Sequence, residues 1–443
     1  MKAFKVLPLT LAVASTLGAF AASAASEADL QALEDRIATL ESRAETTYQN
    51  DQQPAILTPD FEAPLGIIFS GYARYGAHYK AGDSRYVDIG TTGRSVGRLG
   101  NESNGGEFQF AKVFDAEDGP KWDLVLMFDH WSNSDWGSEG GVNLKKMYAG
   151  VTNVFESQPE LYMWAGRDFH QRPQQGINDY FWMSHDGQGA GFYNLNLGGI
   201  KLDMGFVGQV ADNGGALGDD SGRYAVTSKI HGIDLGIGGL ELYANYGFAS
   251  DDANSTANPN VDDETAWQVG AVMGLGDSNR IVAKYADGAD DSVFDLAGDK
   301  QVIYVSLEGA YAATDNFIID YLGSYKDISG DDAVDGNGRS VASSEYSAIV
   351  RPQYQWNSVH STWLEAGYAY VDYANDDEDQ GWKVTLSQNV SLGGLPWSRP
   401  MLRFYATVGD VESTRADVSE TVDTVSFGAM FERGGKPSQI LES

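Results

Sequence analysis

From Ile67 onward, apolar and polar residues alternate with a period of two through one short segment after another. In the stretch from Ile67 to Tyr75, residues Ile67, Phe69 and Ala73 share one face, while Ser70, Tyr72 and Arg74 share the other. Ile303, Val305 and Leu307 oppose Tyr304, Ser306 and Glu308 in the same way. Trp382, Val384 and Leu386 oppose Lys383, Thr385 and Ser387, and Leu402, Phe404 and Ala406 oppose Arg403, Tyr405 and Thr407. Successive side chains of a strand point to opposite faces, so each segment is apolar on one side and carries charges and hydroxyls on the other. A soluble sandwich shows the same alternation, but it turns its polar face outward and seldom strings so many strands together. The pattern predicts an antiparallel β-barrel with an apolar exterior and a polar lumen.

The connections fit that expectation. Some are short, such as Thr314 to Asn316; others are long and acidic, such as Asp251 to Glu264, Ser329 to Ser340 and Asn375 to Gln380. Short turns on one rim and long loops on the other are the arrangement of a transmembrane barrel. The Asp331 to Gly338 run is only a weak suggestion of calcium, because its spacing breaks the EF-hand order, and no cofactor or metal site is expected.

What precedes the barrel has a different period. Residues 1–24 read as a signal peptide: Lys2 and Lys5, an apolar run from Val6 to Phe20, and small residues at Ala22 and Ala24. Its apolar run is too short to span a bilayer as a helix. In residues 25–47, Leu30, Leu33, Ile37, Leu40 and Ala44 recur at spacings of three and four, the seam of an α-helical coiled coil. About two heptads are marginal alone, so the segment is expected to form only when several chains meet, on the periplasmic side. Residues 48–65, with Pro54, Pro59 and Pro64, read as a linker. The barrel domain is placed at 66–433, followed by a tail at 434–443.

Composition narrows the partners. Sixty-three acidic residues face 30 basic ones, a net charge of −33, which argues against nucleic acid. The chain has no cysteine, hence no disulfide or thiolate chemistry.

The stretch from Trp164 to Gly191 mixes bulky rings (Phe169, Tyr180, Phe181, Trp182) with hydrogen-bonding groups (Arg167, Arg172, Gln174, Asp179). Flat rings suit the apolar face of a pyranose, and charged groups answer its hydroxyls. This stretch resembles the inward-folded constriction loop of the maltoporin family, the sugar-selective porins of bacterial outer membranes. Gly71 to Arg74 is similar to the family's opening strand, Arg98 to Glu102 to its second, and Pro396 to Pro400 and Ser426 to Ala429 to its last strands. The N-terminal coiled-coil extension is similar to that of sucrose-type members.

The resemblance implies about eighteen strands, a homotrimer in outer-membrane lipid, and diffusion of maltose, maltodextrins or similar oligosaccharides along an aromatic slide flanked by polar tracks. It places Tyr72, Trp136, Phe294 and Trp397 on the slide, and Arg74, Arg98, Lys145, Arg172 and Asp179 on the tracks. Phe181 falls at the narrowest point, where many relatives carry tyrosine, and Gln174 replaces an acidic track residue. The slide position near Glu107 lacks its aromatic, and Arg433 to Gly435 replaces the usual apolar and tryptophan ending. Two rivals remain. One is a general-diffusion porin for small ions and solutes on the same fold. The other is an outer-membrane enzyme such as a phospholipase, which needs a nucleophile beside a base. The six histidines form no recognisable motif of that kind.

Overall fold

The structure is a computed structural model and describes residues 67–115, 119–132, 141–212, 220–250, 261–334, 340–394, 398–415 and 422–433. The expected signal peptide, coiled coil, linker and 434–443 tail, and the slide candidates Trp136 and Trp397, lie outside those residues.

The period-two segments form the expected strands. The first five are β1 (Ile67–Lys80), β2 (Asn104–Asp115), β3 (Lys121–Ser132), β4 (Asn143–Thr152) and β5 (Tyr162–Asp168). A two-rung hairpin within the next loop supplies β6 (Gln174–Gln175) and β7 (Tyr180–Phe181). The wall resumes with β8 (Gly187–Asn196), β9 (Lys201–Asp212), β10 (Asp220–Asp234), β11 (Gly239–Ala249), β12 (Thr265–Leu275) and β13 (Asn279–Asp287). It ends with β14 (Gln301–Thr314), β15 (Phe317–Ser329), β16 (Ser343–Gln355), β17 (His360–Tyr373), β18 (Glu378–Ser391), β19 (Met401–Ser413) and β20 (Val422–Arg433).

Eighteen of these strands form one antiparallel sheet in which wall neighbours in sequence are neighbours in space. Strand β1 pairs with both β2 and β20, so the sheet closes on itself. Closure removes both edges and satisfies the backbone polar groups between strands, the condition for a sheet to stand in hydrocarbon.

The register sets the two faces. Ile303, Val305 and Leu307 of β14 stand exposed beside Tyr285, Ala283 and Ile281 of β13, while Tyr304, Ser306 and Glu308 are buried inward. Phe69, Trp122, Leu386, Phe404 and Phe427 add to the exposed apolar band. Tyr311, Tyr354 and Trp356 are exposed at the short-turn rim, and Tyr79 towards the other, as aromatic girdles would be.

One expected loop is shorter than read. Glu378 to Gln380 belong to β18, leaving only residues 374–377 between it and β17. The Tyr373 N–H donates to the Asp377 carbonyl, so the acidic run closes a tight hairpin.

The core lies inside the barrel. Loops 81–103, 169–186 and 288–300 turn inward and pack against the inner wall. Val293, Phe294 and Leu296 join Trp164, Tyr193, Val207 and Val302 in one apolar cluster, and Val87, Ile89 and Val96 meet Ala369 and Val371 in another.

Loop 81–103 corrects a sequence expectation. Arg98 to Glu102 do not lie on the second strand; they sit in this inward loop, and β2 starts only at Asn104. The reason is backbone shape: Gly97 adopts φ +101, a conformation open mainly to glycine, and a Cβ there would run into the Glu365 carboxylate. The run leaves the sheet and presses its backbone onto β17, where the Leu99 N–H donates to Glu365 at 2.8 Å.

Candidate functional site

The lumen surface is built where β1, β3 and β4 face the tip of loop 169–186. In-phase alternation puts Tyr72 and Arg74 on the inner face of β1. Arg74 is 5% exposed. Its Nε donates to the Ser103 carbonyl at 2.8 Å, Nη1 donates to the Tyr72 hydroxyl at 3.2 Å, and Nη2 lies 3.6 Å from Asp179. Asp179 belongs to the turn between β6 and β7, and its backbone is left-handed (φ 55), which aspartate tolerates better than most residues. Gln174 at the start of that hairpin donates to Asp179 at 2.5 Å.

Below Arg74 lies a dense ionic network. Arg98 approaches Glu432 at 3.7 Å and Arg399 approaches it at 3.0 Å. Arg403, fully buried, bridges Glu102 and Glu432. Burial alone would raise the Glu102 carboxyl, but Arg403, Arg98 and Arg74 hold it down at about 2. Among the described residues, Arg74, Arg98, Arg399 and Arg403 here meet Asp179, Glu102 and Glu432.

A second group lies on the other arm of the loop. The Arg172 guanidinium lies over two rings, 4.3 Å from the centroid of Phe169 and 3.9 Å from that of Phe181. Its Nε is 3.5 Å from Asp186. Burial pushes the Asp186 carboxyl up to about 6, against the pull of Arg172 and Lys146. One oxygen of Asp186 is buried without a hydrogen-bond partner among the described residues, which accounts for the direction. Lys146 pairs with Asp168 at 3.1 Å and stands over Phe169 at 4.9 Å. Lys145 pairs with Asp129 at 3.4 Å. A cleft of about 460 Å³ opens among Lys145, Arg167, Asp168, Phe169, Asp186 and Gln188. That volume, with rings and charges along its wall, suits a polar ligand the size of a small sugar.

Of the sequence candidates, Tyr72, Arg74, Arg98 and Asp179 come together in the first group, and Arg172 and Phe181 in the second. Lys145 joins the cleft. Phe294 does not: it is 3% exposed in the apolar cluster, 5.9 Å from the His185 ring, and fixes loop 288–300 to the wall instead of facing the lumen. Two residues at these groups were missed: Trp131, whose ring lies under the Arg74 guanidinium at 5.0 Å, and Asp186. Trp131 follows Asp129 in phase on β3, so the alternation that placed Tyr72 could have placed it too.

The loops carry their own anchor. Lys326 of β15, with no exposed surface, reaches Asp290 at 2.8 Å, donates to the Thr91 hydroxyl at 2.8 Å and touches the Tyr180 hydroxyl at 3.4 Å. One ammonium thereby joins all three inward loops. Burial works against the charge of Asp290, yet Lys326, Lys284 and Lys300 hold its carboxyl well below the usual range. His170 sits in comparably closed surroundings: it bonds Tyr193 and Thr227 at 2.8 and 2.6 Å and is 2% exposed. Burial lowers its imidazole to about 4, so it stays neutral and shut away from any substrate.

The family model described as LamB porin matches residues 67–433. Two curated relatives are the maltoporins of Vibrio cholerae serotype O1, El Tor Inaba and Classical Ogawa strains. Each is 29% identical over 389 residues, covering 80% of this chain and 91% or 90% of the relative. Among solved structures, Pseudomonas aeruginosa OccD3 aligns at a TM-score of 0.47 and 12% identity, over 83% of this chain and 91% of that one.

Proposed function

The chain belongs to the LamB porin family, and from that premise we propose that it is a sugar-selective pore for maltose, maltodextrins or similar oligosaccharides. It is a multi-pass β-barrel of the bacterial outer membrane, in a family of channels. We infer that it works as a homotrimer, with residues 25–47 as a periplasmic coiled coil that the pore does not need.

One observation carries the reading: Arg172 over the Phe169 and Phe181 rings on an inward loop, with Asp186 beside it. Rings next to fixed donors and acceptors are what a pyranose requires, and each such contact is shallow. A sugar path needs sites strong enough to recruit and weak enough to release. Millimolar affinity amounts to about −4 kcal/mol, which a few ring faces and charge-assisted hydrogen bonds supply after ordering costs. Arg74, Arg98 and Asp179 continue the polar track, Lys145 borders the cleft, and Tyr72, Trp136 and Trp397 are assigned to the slide.

A second reading, general diffusion of small ions and solutes, draws on two facts. Phe294 is withdrawn into the core, and Arg172 already covers one face of Phe181. Swelling of liposomes carrying the purified protein separates the two. The sugar pore admits maltotriose faster than a non-sugar of equal size, and equal rates would leave the general-diffusion porin.

A further inference from the structure

Strand β2 has no side chain at Gly105, and that gap changes what its neighbour can reach. In the register, Gly105 stands between Arg74 of β1 and Trp131 of β3. Its backbone is at φ +148, and a Cβ there would come within 2.7 Å of the Trp131 ring. The indole therefore lies across the β2 row instead of over its own strand. Its ring centroid is 6.2 Å from that of Tyr72, with 31° between the planes. The Arg74 guanidinium caps it at 5.0 Å. A cation on a ring face fixes the ring's orientation. Trp131 stays half-buried, so part of its surface is left uncovered inside the barrel.

The surroundings are those of a binding wall. Arg74 ties this ring to Asp179 on the constriction loop, and Asp129, next inward on β3, pairs with Lys145 at the cleft. A large ring held rigid beside ordered donors and acceptors presents an apolar plane with hydrogen-bonding groups at its margin, the complement of a pyranose.

We propose that Trp131 is a sugar-stacking residue and that Gly105 is the vacancy that lets it serve. The proposal rests on the sugar-pore reading above and adds a contact to it. Since no bond is made or broken, the readout is affinity.

The test uses the full-length protein in planar bilayers, titrated with maltotriose. Wild type, Trp131→Phe and Trp131→Leu are compared by the concentration that halves the current. Trp131→Leu raises that concentration about five- to tenfold, while Trp131→Phe, which keeps a flat ring, raises it about twofold at most. An unchanged value in Trp131→Leu, with wild type blocked normally, overturns the assignment, as does an equal loss in both variants. Should wild type itself show no block, the sugar-pore reading fails first and takes this contact with it. Tryptophan emission supplies a measurement that does not depend on the leucine variant assembling. Maltotriose produces a saturable change in wild type that shrinks in Trp131→Phe, and an undiminished change in that variant also overturns the assignment.

Discussion

The guanidinium of Arg172 lies over the Phe181 ring, 3.9 Å from its centroid, and over the Phe169 ring at 4.3 Å. A cation on a ring face fixes the ring's orientation, so Arg172 and its rings hold one another.

Arg172→Ala therefore removes a charged donor and frees two rings together. A charge-assisted hydrogen bond contributes about 1.5–3 kcal/mol, so block by maltotriose weakens roughly tenfold or more. Arg172→Lys restores the charge without the planar stack and recovers only part of the effect. Current-block titrations of the two variants, run beside ion-selectivity measurements, check both statements.

Asp186 gives the pore a pH dependence. Its carboxyl, raised to about 6, is ionised at neutral pH and takes a proton as pH falls through that value. Protonation removes a negative charge beside Arg172, so selectivity shifts towards anions between about pH 7 and 5. Because the folded-state value is raised, ionisation opposes folding: the associated stability is present below the ordinary carboxylate range and is lost as pH rises through about 6. Reversal potentials across that range test the first consequence, and Asp186→Asn flattens the profile.

Lys326 holds loops 81–103, 169–186 and 288–300 through one buried ammonium. Removing one member of a buried ion pair costs about 3–5 kcal/mol, the upper end being moderated here because Lys284 and Lys300 still face Asp290. Lys326→Met should leave the wall closed, since the wall is held by its ladders, and loosen the plug within it. The expected record is a noisier channel of larger mean conductance with a lowered melting temperature; an unchanged current trace would show that the loops are held by other contacts.

Gly97 adopts φ +101 with the Glu365 carboxylate where a side chain would stand. Gly97→Ala costs about 1–3 kcal/mol of backbone strain and pushes loop 81–103 off β17. Thermal melts show the loss, and conductance rises as the loop withdraws.

Alternation alone placed Ile303, Val305 and Leu307 outside and Tyr304, Ser306 and Glu308 inside, because a strand's side-chain period is fixed by its backbone and needs no partner. The same logic set Tyr72 and Arg74 in the lumen. It stopped at the loops. Nothing in the local sequence says that residues 81–103 turn inward: their backbone is satisfied by Glu345 and Glu365, more than 240 residues away, and only closure of the barrel brings those carboxylates within reach. Phe294 and Trp131 show the same division. As rings in a chain the two look alike, yet Phe294 is spent on packing a loop against the wall, while Trp131 leans across an empty glycine position two strands from Arg74. Local pattern determines which way a side chain points from its own strand; what it meets there depends on register and on which loops fill the barrel, and those are settled by contacts between distant parts of the chain.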